Sequence, residues 1–327
     1  MNDDWNMLGH EWAVIMLRRH IRNGTTRHAY LFTGPPCVGR RTLALRFAQA
    51  MNCTNPPETG TPCQSCRDCT QIARMQHPDL FTLRSETGGG ALKVEQIREL
   101  QRSLALAAYQ SRYRIALLLN FEEATESAAN ALLKTLEEAP AHIILLLTAD
   151  DPSRLLPTIT SRCEIFRLHP MTVSDMEKHL LTQGIKQPHA SLCSHISGGR
   201  PGYACRLLND PALLESRREQ LADLQNLVGA SRIEKFAYAE NLAKDRDHFR
   251  GVLLVWLSFW RDVWLTANGS NSSLINIDMA EEIEKLSKQT RPAAALHLLK
   301  EHKQALDRLE RFVNARLLAE NLLLALP

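Results

Sequence analysis

A chain of 327 residues, 44% hydrophobic and 23% charged, carries enough apolar material for two or three packed domains, which excludes a disordered or collagen-like polymer. Its 39 basic and 36 acidic residues leave a net charge of +3, so no basic tail argues for nucleic acid and nothing argues against contact through one face. The longest apolar run, residues 252–260, is interrupted by Ser258 and falls short of the roughly 18 residues that span a bilayer.

The opening MNDDWNMLGHEW has early acids and no basic segment before a greasy one, so a cytoplasmic protein without leader or membrane segment is expected. Over residues 10–23, Ala13, Ile15, Met16 and Leu17 precede Arg18, Arg19, His20 and Arg22, the pattern of a helix whose basic end complements its dipole. The apolar run Ala29-Tyr30-Leu31-Phe32 then stops at Thr33-Gly34, and a helical pattern with Leu43, Leu45, Phe47 and Ala48 resumes. Strand, glycine loop, helix is the context that makes TGPPCVGRRT, Thr33–Thr42, a phosphate-binding loop in form.

In such a loop backbone amides cradle the phosphates, a Lys reaches the β- and γ-phosphates, and the next Ser or Thr binds Mg²⁺. Here Gly34 and Gly39 keep the bend, Arg40 stands at the Lys position and Arg41 at the hydroxyl position. A planar guanidinium is bulkier than an ammonium and aims its donors differently, while Arg41 puts a cation where the metal would sit. Thr42 lies about 100° further around the helix and does not replace the hydroxyl. Anion binding stays open, but productive binding of ATP with Mg²⁺ is not expected.

A polar insertion follows, with Cys53 and then Cys63-Gln-Ser-Cys66-Arg-Asp-Cys69. Thiols stay reduced in a cytosol, so these four read first as ligands closing a tetrahedron around a structural zinc ion. The plainer alternative is incidental thiols, with Cys53 as the buried end of its helix. The glycine-rich stretch at 85–90 reads as a flexible turn before a helix that begins near Lys93, because no apolar strand feeds into it.

Ile115–Leu119 and Ile143–Leu147 are apolar throughout and are separated by a helix around Ala128–Glu138, the pattern of parallel strands buried on both faces. After the first of them, Leu119 and Asn120 stand where an ATPase places an Asp for Mg²⁺ and a Glu for water, with Glu122 and Glu123 slightly beyond. Thr160-Ser161-Arg162-Cys163 precedes a strand at Glu164-Ile165-Phe166; by spacing alone its arginine is as well an ordinary surface ion pair. From His169 the pattern turns helical, with a capping box at Thr172 and Asp175, a turn at Gly198-Gly199-Arg200-Pro201-Gly202, and breaks at Gly229, Gly269 and Pro292. Trp256, Trp260 and Trp264 at four-residue spacing read as core.

Taken together, the His28–Ala44 segment, the four-cysteine insert, His77-Pro-Asp, Ala128–Pro140 with its Asn-Ala-Leu-Leu-Lys-Thr-Leu-Glu-Glu, Pro152–Pro157, Ser161-Arg-Cys163 and Gly198–Gly202 resemble the delta-prime subunits of bacterial DNA polymerase III clamp loaders, in the AAA+ superfamily. The resemblance continues weakly through Trp260–Trp264 and Leu274–Asp278. It implies a RecA-like AAA+ parallel-sheet domain over 1–168 with a zinc module at 53–69, a helical lid over 169–210 and an all-α collar over 211–327. It further implies a hetero-pentamer with gamma/tau-like ATPase subunits and a delta-like subunit, acting on the sliding clamp and primed DNA. In that family the arginine of Ser-Arg-Cys acts on ATP bound by a neighbour, which makes Arg162, with Ser161 beside it, the catalytic candidate. The lid position that offers an arginine in ATPase members aligns with Gly202. The expected function is a non-hydrolysing subunit; the alternatives are an ATPase rescued by Glu122 or Glu123, and a zinc-dependent adaptor in which Arg162 is idle.

Overall fold

The computed structural model describes residues 5–85, 90–105, 109–138, 140, 142–310 and 313–326. Of the expected glycine turn, Glu86, Thr87, Gly88 and Gly89 lie outside the described residues. Contacts divide the chain into two units, Met1–Met171 with Arg200–Gly202, and Thr172–Gly199 with Tyr203–Pro327.

The first unit is built from α1 (Glu11–Asn23), β1 (Ala29–Thr33), α2 (Arg40–Asn52), α3 (Arg67–Ala73), β2 (Leu80–Leu83), α4 (Val94–Leu104), β3 (Arg114–Leu118), α5 (Glu126–Glu137), β4 (Ile143–Ala149), the single-turn α6 (Pro157–Thr160) and β5 (Glu164–Arg167). All strands are parallel, in the order β2-β3-β4-β1-β5, the parallel α/β sheet expected from the apolar runs. Side chains of a strand alternate between faces, and here each face has its own helical layer. Tyr30, Phe32, Ile115, Leu117, Ile144 and Leu146 join one core with Leu17 of α1 and Phe47 of α2. Leu31, Ala116, Leu118, Leu145 and Leu147 join the other with Ile97 of α4 and Leu132 of α5. Burying each such Leu or Phe stabilises the fold by about 1.5–3 kcal/mol.

Strand β2 is not visible as an apolar run, because as an edge strand it buries only Leu80 fully and keeps Thr82 among its four residues. Strand β4 extends to Ala149, two residues past the apolar run, since Thr148 spends its hydroxyl on the Asn120 amide at 2.9 Å. The β1–β4 register sets Thr33 opposite Ala149. The glycine loop after β1 and Asp150 after β4 therefore leave the sheet side by side, at the carboxyl ends where open parallel sheets bind ligands.

The second unit is helical: α7 (Val173–Thr182), α8 (His189–Ser197), most of α9 (Pro201–Asn209), α10 (Pro211–Leu227), α11 (Arg232–Leu242), α12 (Arg246–Ala267), α13 (Ala280–Gln289), α14 (Pro292–Glu310) and α15 (Ala315–Leu324). Thr172 caps α7 by accepting the Asp175 amide, as its spacing suggests. Trp256 and Trp260 are fully buried, Trp264 packs against the same core, and Trp256 Nε1 donates to the Gln220 carbonyl at 2.7 Å. Below them the buried Asp262 carboxylate accepts the Ile275 and Asn276 amides, both at 2.8 Å, and Arg217 forks onto Asp278 and Asn276. Among the described residues no helix is long and apolar enough to cross a membrane.

Candidate functional site

The loop between β1 and α2 has the bend its glycines predict. Gly34 has φ 144°, and a Cβ there would lie 2.3 Å from the Leu168 carbonyl oxygen, so only glycine lets β1 turn under the end of β5. Gly39 caps α2 with φ 114°, and the His10 Nε2–H donates to the Val38 carbonyl at 3.0 Å, pinning the loop from the start of α1. The amides of the first turn of α2 still face the loop as in any helix start.

What sits among them is not a free cation. Arg40 is 8% exposed and turns onto the end of β4, where Nη1 lies 2.7 Å from Asp150 Oδ1. This is an ion pair by distance rather than an aligned hydrogen bond. Glu122 joins it, its Oε1 accepting the Asp150 amide at 3.1 Å and its Oε2 buried without a hydrogen-bond donor. Burial, and next to it the Asp150 carboxylate, push the Glu122 carboxyl above the ordinary range despite Arg40; burial does the same to Glu123. Arg40, Asp150 and Glu122 thus form a charge cluster beside the glycine loop, where an ATPase would hold phosphate and metal, and the more exposed Arg154 reaches Asp150 from outside at 3.7 Å. Arg41 and Thr42 are exposed on α2. Leu119 is partly buried and offers no ligand atom, and Asn120, in the left-handed region at φ 50°, is exposed and donates weakly from Nδ2 to Glu123 at 3.5 Å, so neither position carries a carboxylate.

Gly202, grouped with the first unit, meets the same loop. Its amide donates to the Cys37 carbonyl at 2.9 Å, and a Cβ on Gly202 would lie 2.9 Å from that oxygen. An arginine at 202 would require the loop or the helix to move.

The four insert cysteines come together as expected. Their sulfurs all lie within 4.8 Å of one another, with Cys63 and Cys69 4.0 Å apart; four sulfurs around an ion bound at about 2.3 Å would be about 3.8 Å apart. The amides of Cys63, Cys66 and Cys69 point at the sulfurs of Cys53, Cys63 and Cys66 at 3.2–3.4 Å. Burial alone would push the Cys66 thiol up, but the Cys69 amide and the Thr54 contacts outweigh it and bring it down to about 6. At Cys53 and Cys69 burial prevails and keeps the thiols above their ordinary range. This donor set can hold a metal ion, and a cation is what would let Cys53 and Cys69 ionise with the others. The module is fastened to the sheet unit by Gln49, which donates to the Cys69 carbonyl at 2.6 Å, and by Trp5, which donates to the Gly60 carbonyl at 3.0 Å.

Arg162 lies apart from the Arg40 cluster, just after α6. Its Nη1 donates to the Thr158 carbonyl at 2.9 Å and its Nη2 lies 2.5 Å from Glu137 Oε1 at the end of α5, with 35% of the side chain exposed. Ser161 closes the turn by donating to the Thr158 carbonyl at 3.2 Å. Cys163 packs beneath, where burial pushes its thiol up to about 12, so it is a packing residue and not a nucleophile. The sequence reading missed Asp150 and Glu137. An acid at the end of the strand beside β1 is the signal for the first, and for the second the last turn of the Asn-Ala-Leu-Leu-Lys helix is the only hint.

Residues 9–172 match the family described as DNA polymerase III, delta subunit, and residues 211–326 match DNA polymerase III, delta subunit, C terminal. The chain is 28% identical to DNA polymerase III subunit delta' of Bacillus subtilis over 316 residues, 95% of this chain and 94% of the relative. It is 34% identical to subunit delta' of Pseudomonas aeruginosa over 204 residues, 62% of this chain and 61% of that one. DNA polymerase III subunit tau of Salmonella typhimurium is 34% identical over 187 residues, 56% of this chain and 28% of its own length.

Proposed function

The chain belongs to the DNA polymerase III delta-subunit family, and we propose that it is the non-hydrolysing, delta-prime-like member of a clamp loader, supplying Arg162 in trans to ATP bound by a neighbouring subunit. The observation that carries this reading is the Arg40 ion pair. The one basic side chain placed for phosphate in the chain's own loop is buried against Asp150, while Arg162 stands a third exposed at the end of a short, rigid turn.

In this reading the neighbour is a gamma/tau-like ATPase, the ring is a hetero-pentamer completed by a delta-like subunit, and the work is loading a sliding clamp on primed DNA in the cytoplasm. Residues 169–210 serve as lid and 211–327 as collar, a boundary supported by the separate family match that begins at residue 211. An arginine aimed at a transferring phosphoryl group stabilises the charge that spreads over its oxygens, without itself taking a proton. The test is the DNA-stimulated ATPase of the reconstituted loader with Arg162→Ala in this chain. Loss of turnover with assembly intact supports the reading, and an unchanged rate would favour an adaptor in which the arginine is idle.

The four cysteines hold one structural zinc ion in the same proposal, since a closed four-thiolate set leaves no position for a substrate. Metal analysis should return one zinc per chain. Free reactivity of the four insert thiols in the native protein would rule the assignment out.

A further inference from the structure

The salt bridge between Arg162 and Glu137 joins two parts of the chain that are each held independently. Ile159 of α6 is fully buried, and the Thr158 carbonyl that takes Arg162 Nη1 belongs to the same turn. The last turn of α5 is pinned on two sides. Gln101 of α4 donates to the Ala131 carbonyl and the Thr135 hydroxyl, both at 2.8 Å, and the His28 Nε2–H donates to the Leu136 carbonyl at 2.8 Å. Leu132 and Leu136 are buried under it. Glu137 therefore presents its carboxylate from a fixed backbone, one residue beyond the His28 contact.

We infer that Glu137 is the positioning residue of Arg162: its carboxylate holds the guanidinium by one edge, preset for an anion on a neighbouring chain. This rests on the reading of Arg162 as the residue offered in trans. The pair is 35% and 49% exposed, a setting in which an ion pair adds little to stability, so its consequence lies in orientation. A free arginine side chain carries rotamer entropy that must be lost when it docks on a phosphoryl group. Two anchors remove much of that freedom beforehand. A guanidinium has five N–H donors, so the Thr158 and Glu137 contacts leave donors for phosphoryl oxygens without either anchor being released.

The experiment uses the full loader reconstituted with its cognate ATPase subunits and carrying Glu137→Ala, Glu137→Gln or Arg162→Ala. Glu137→Ala should lower kcat of the DNA-stimulated ATPase about tenfold, the scale expected for a loosened catalytic group, with KM for ATP and the thermal midpoint of the chain unchanged. Glu137→Gln, which keeps an oxygen for Nη2 without the charge, should recover most of the rate. A full rate with Glu137→Ala while Arg162→Ala is inactive overturns the positioning role and leaves the function of Arg162 standing. A rate above wild type also overturns it, because a carboxylate that masks the arginine is one whose removal activates. A glutamine no better than alanine overturns it as well. If Arg162→Ala itself keeps full activity, the underlying reading fails, and the two failures are told apart in one set of assays.

Discussion

Two arginine–carboxylate pairs in the sheet unit, chemically alike, have opposite fates. Arg40 and Asp150 meet at 2.7 Å with the arginine side chain 9% exposed, and Arg162 and Glu137 meet at 2.5 Å with the arginine 35% exposed. Distance does not separate them; solvent does. A buried guanidinium that swung toward a ligand would leave Asp150 to the more distant and more exposed Arg154, at 3.7 Å, and would remove the cation beside Glu122, and that cost holds it in place. An exposed one offers its remaining donors to a new anion in exchange for water, at little cost and with its surface contact kept. The arginine that looks like a phosphate ligand in the sequence is the buried one, and the one proposed to act in trans is the one that looks like a surface residue.

The comparison breaks most visibly at Arg162. Arg162→Ala should reduce the ATPase of the reconstituted loader by a factor on the order of 10³, while the chain's unfolding free energy shifts by less than about 0.5 kcal/mol. Arg40→Ala should do the reverse. It should destabilise the sheet unit by about 2 kcal/mol, less than a fully buried pair because Asp150 is partly solvated, and leave turnover at the neighbour's site unchanged. Chemical unfolding and the same ATPase assay read both arms. Arg40→Lys should not give the isolated chain tight binding of a fluorescent ATP analogue with Mg²⁺, because Arg41 still stands at the hydroxyl position; tight binding with turnover in the wild type would undo the comparison.

The smallest effect sharpens it. Burial and Asp150 hold the Glu122 carboxyl above its unfolded value, so the folded chain binds this proton more tightly than the unfolded one. Its contribution is fully favourable below the ordinary carboxylate range and is lost as pH rises through the raised folded value. Glu122→Gln, which keeps the acceptor for the Asp150 amide, should therefore raise the melting temperature modestly at neutral pH and give no gain in acid. A destabilisation at neutral pH would mean that Glu122 is needed as a counter-charge to Arg40.

Much of the fold was legible because its signals are local or periodic. Ile115–Leu118 and Ile143–Leu147 need no partner to be recognised as strands buried on both faces, and Trp256 and Trp260 declare a helix core by their spacing. Strand β2 escaped because only Leu80 of its four residues is fully buried and Thr82 interrupts it, so no continuous apolar run marks it. Within the site, the cysteine spacing announced its cluster, and Arg40, Arg41, Leu119 and Asn120 each announced a departure from an ATPase. The Asp262 carboxylate in the second unit was opaque for a different reason. Its partners Ile275 and Asn276 lie beyond a turn rich in Ser and Asn, and a carboxylate that accepts backbone amides leaves no residue-type signature.

The sequence by itself determined the residue types: a phosphate loop with two arginines in place of Lys and a hydroxyl, four thiols at ligand spacing, and an arginine after a short proline-led turn. Only the tertiary structure decided what each arginine is paired with. Arg40 meets Asp150 because the parallel register of β1 and β4 brings Thr33 level with Ala149, and Arg162 meets Glu137 because α5 and α6 pack on the same face of the sheet. Such pairings depend on strand order and helix layer, which form through contacts distant along the chain. No local pattern records them.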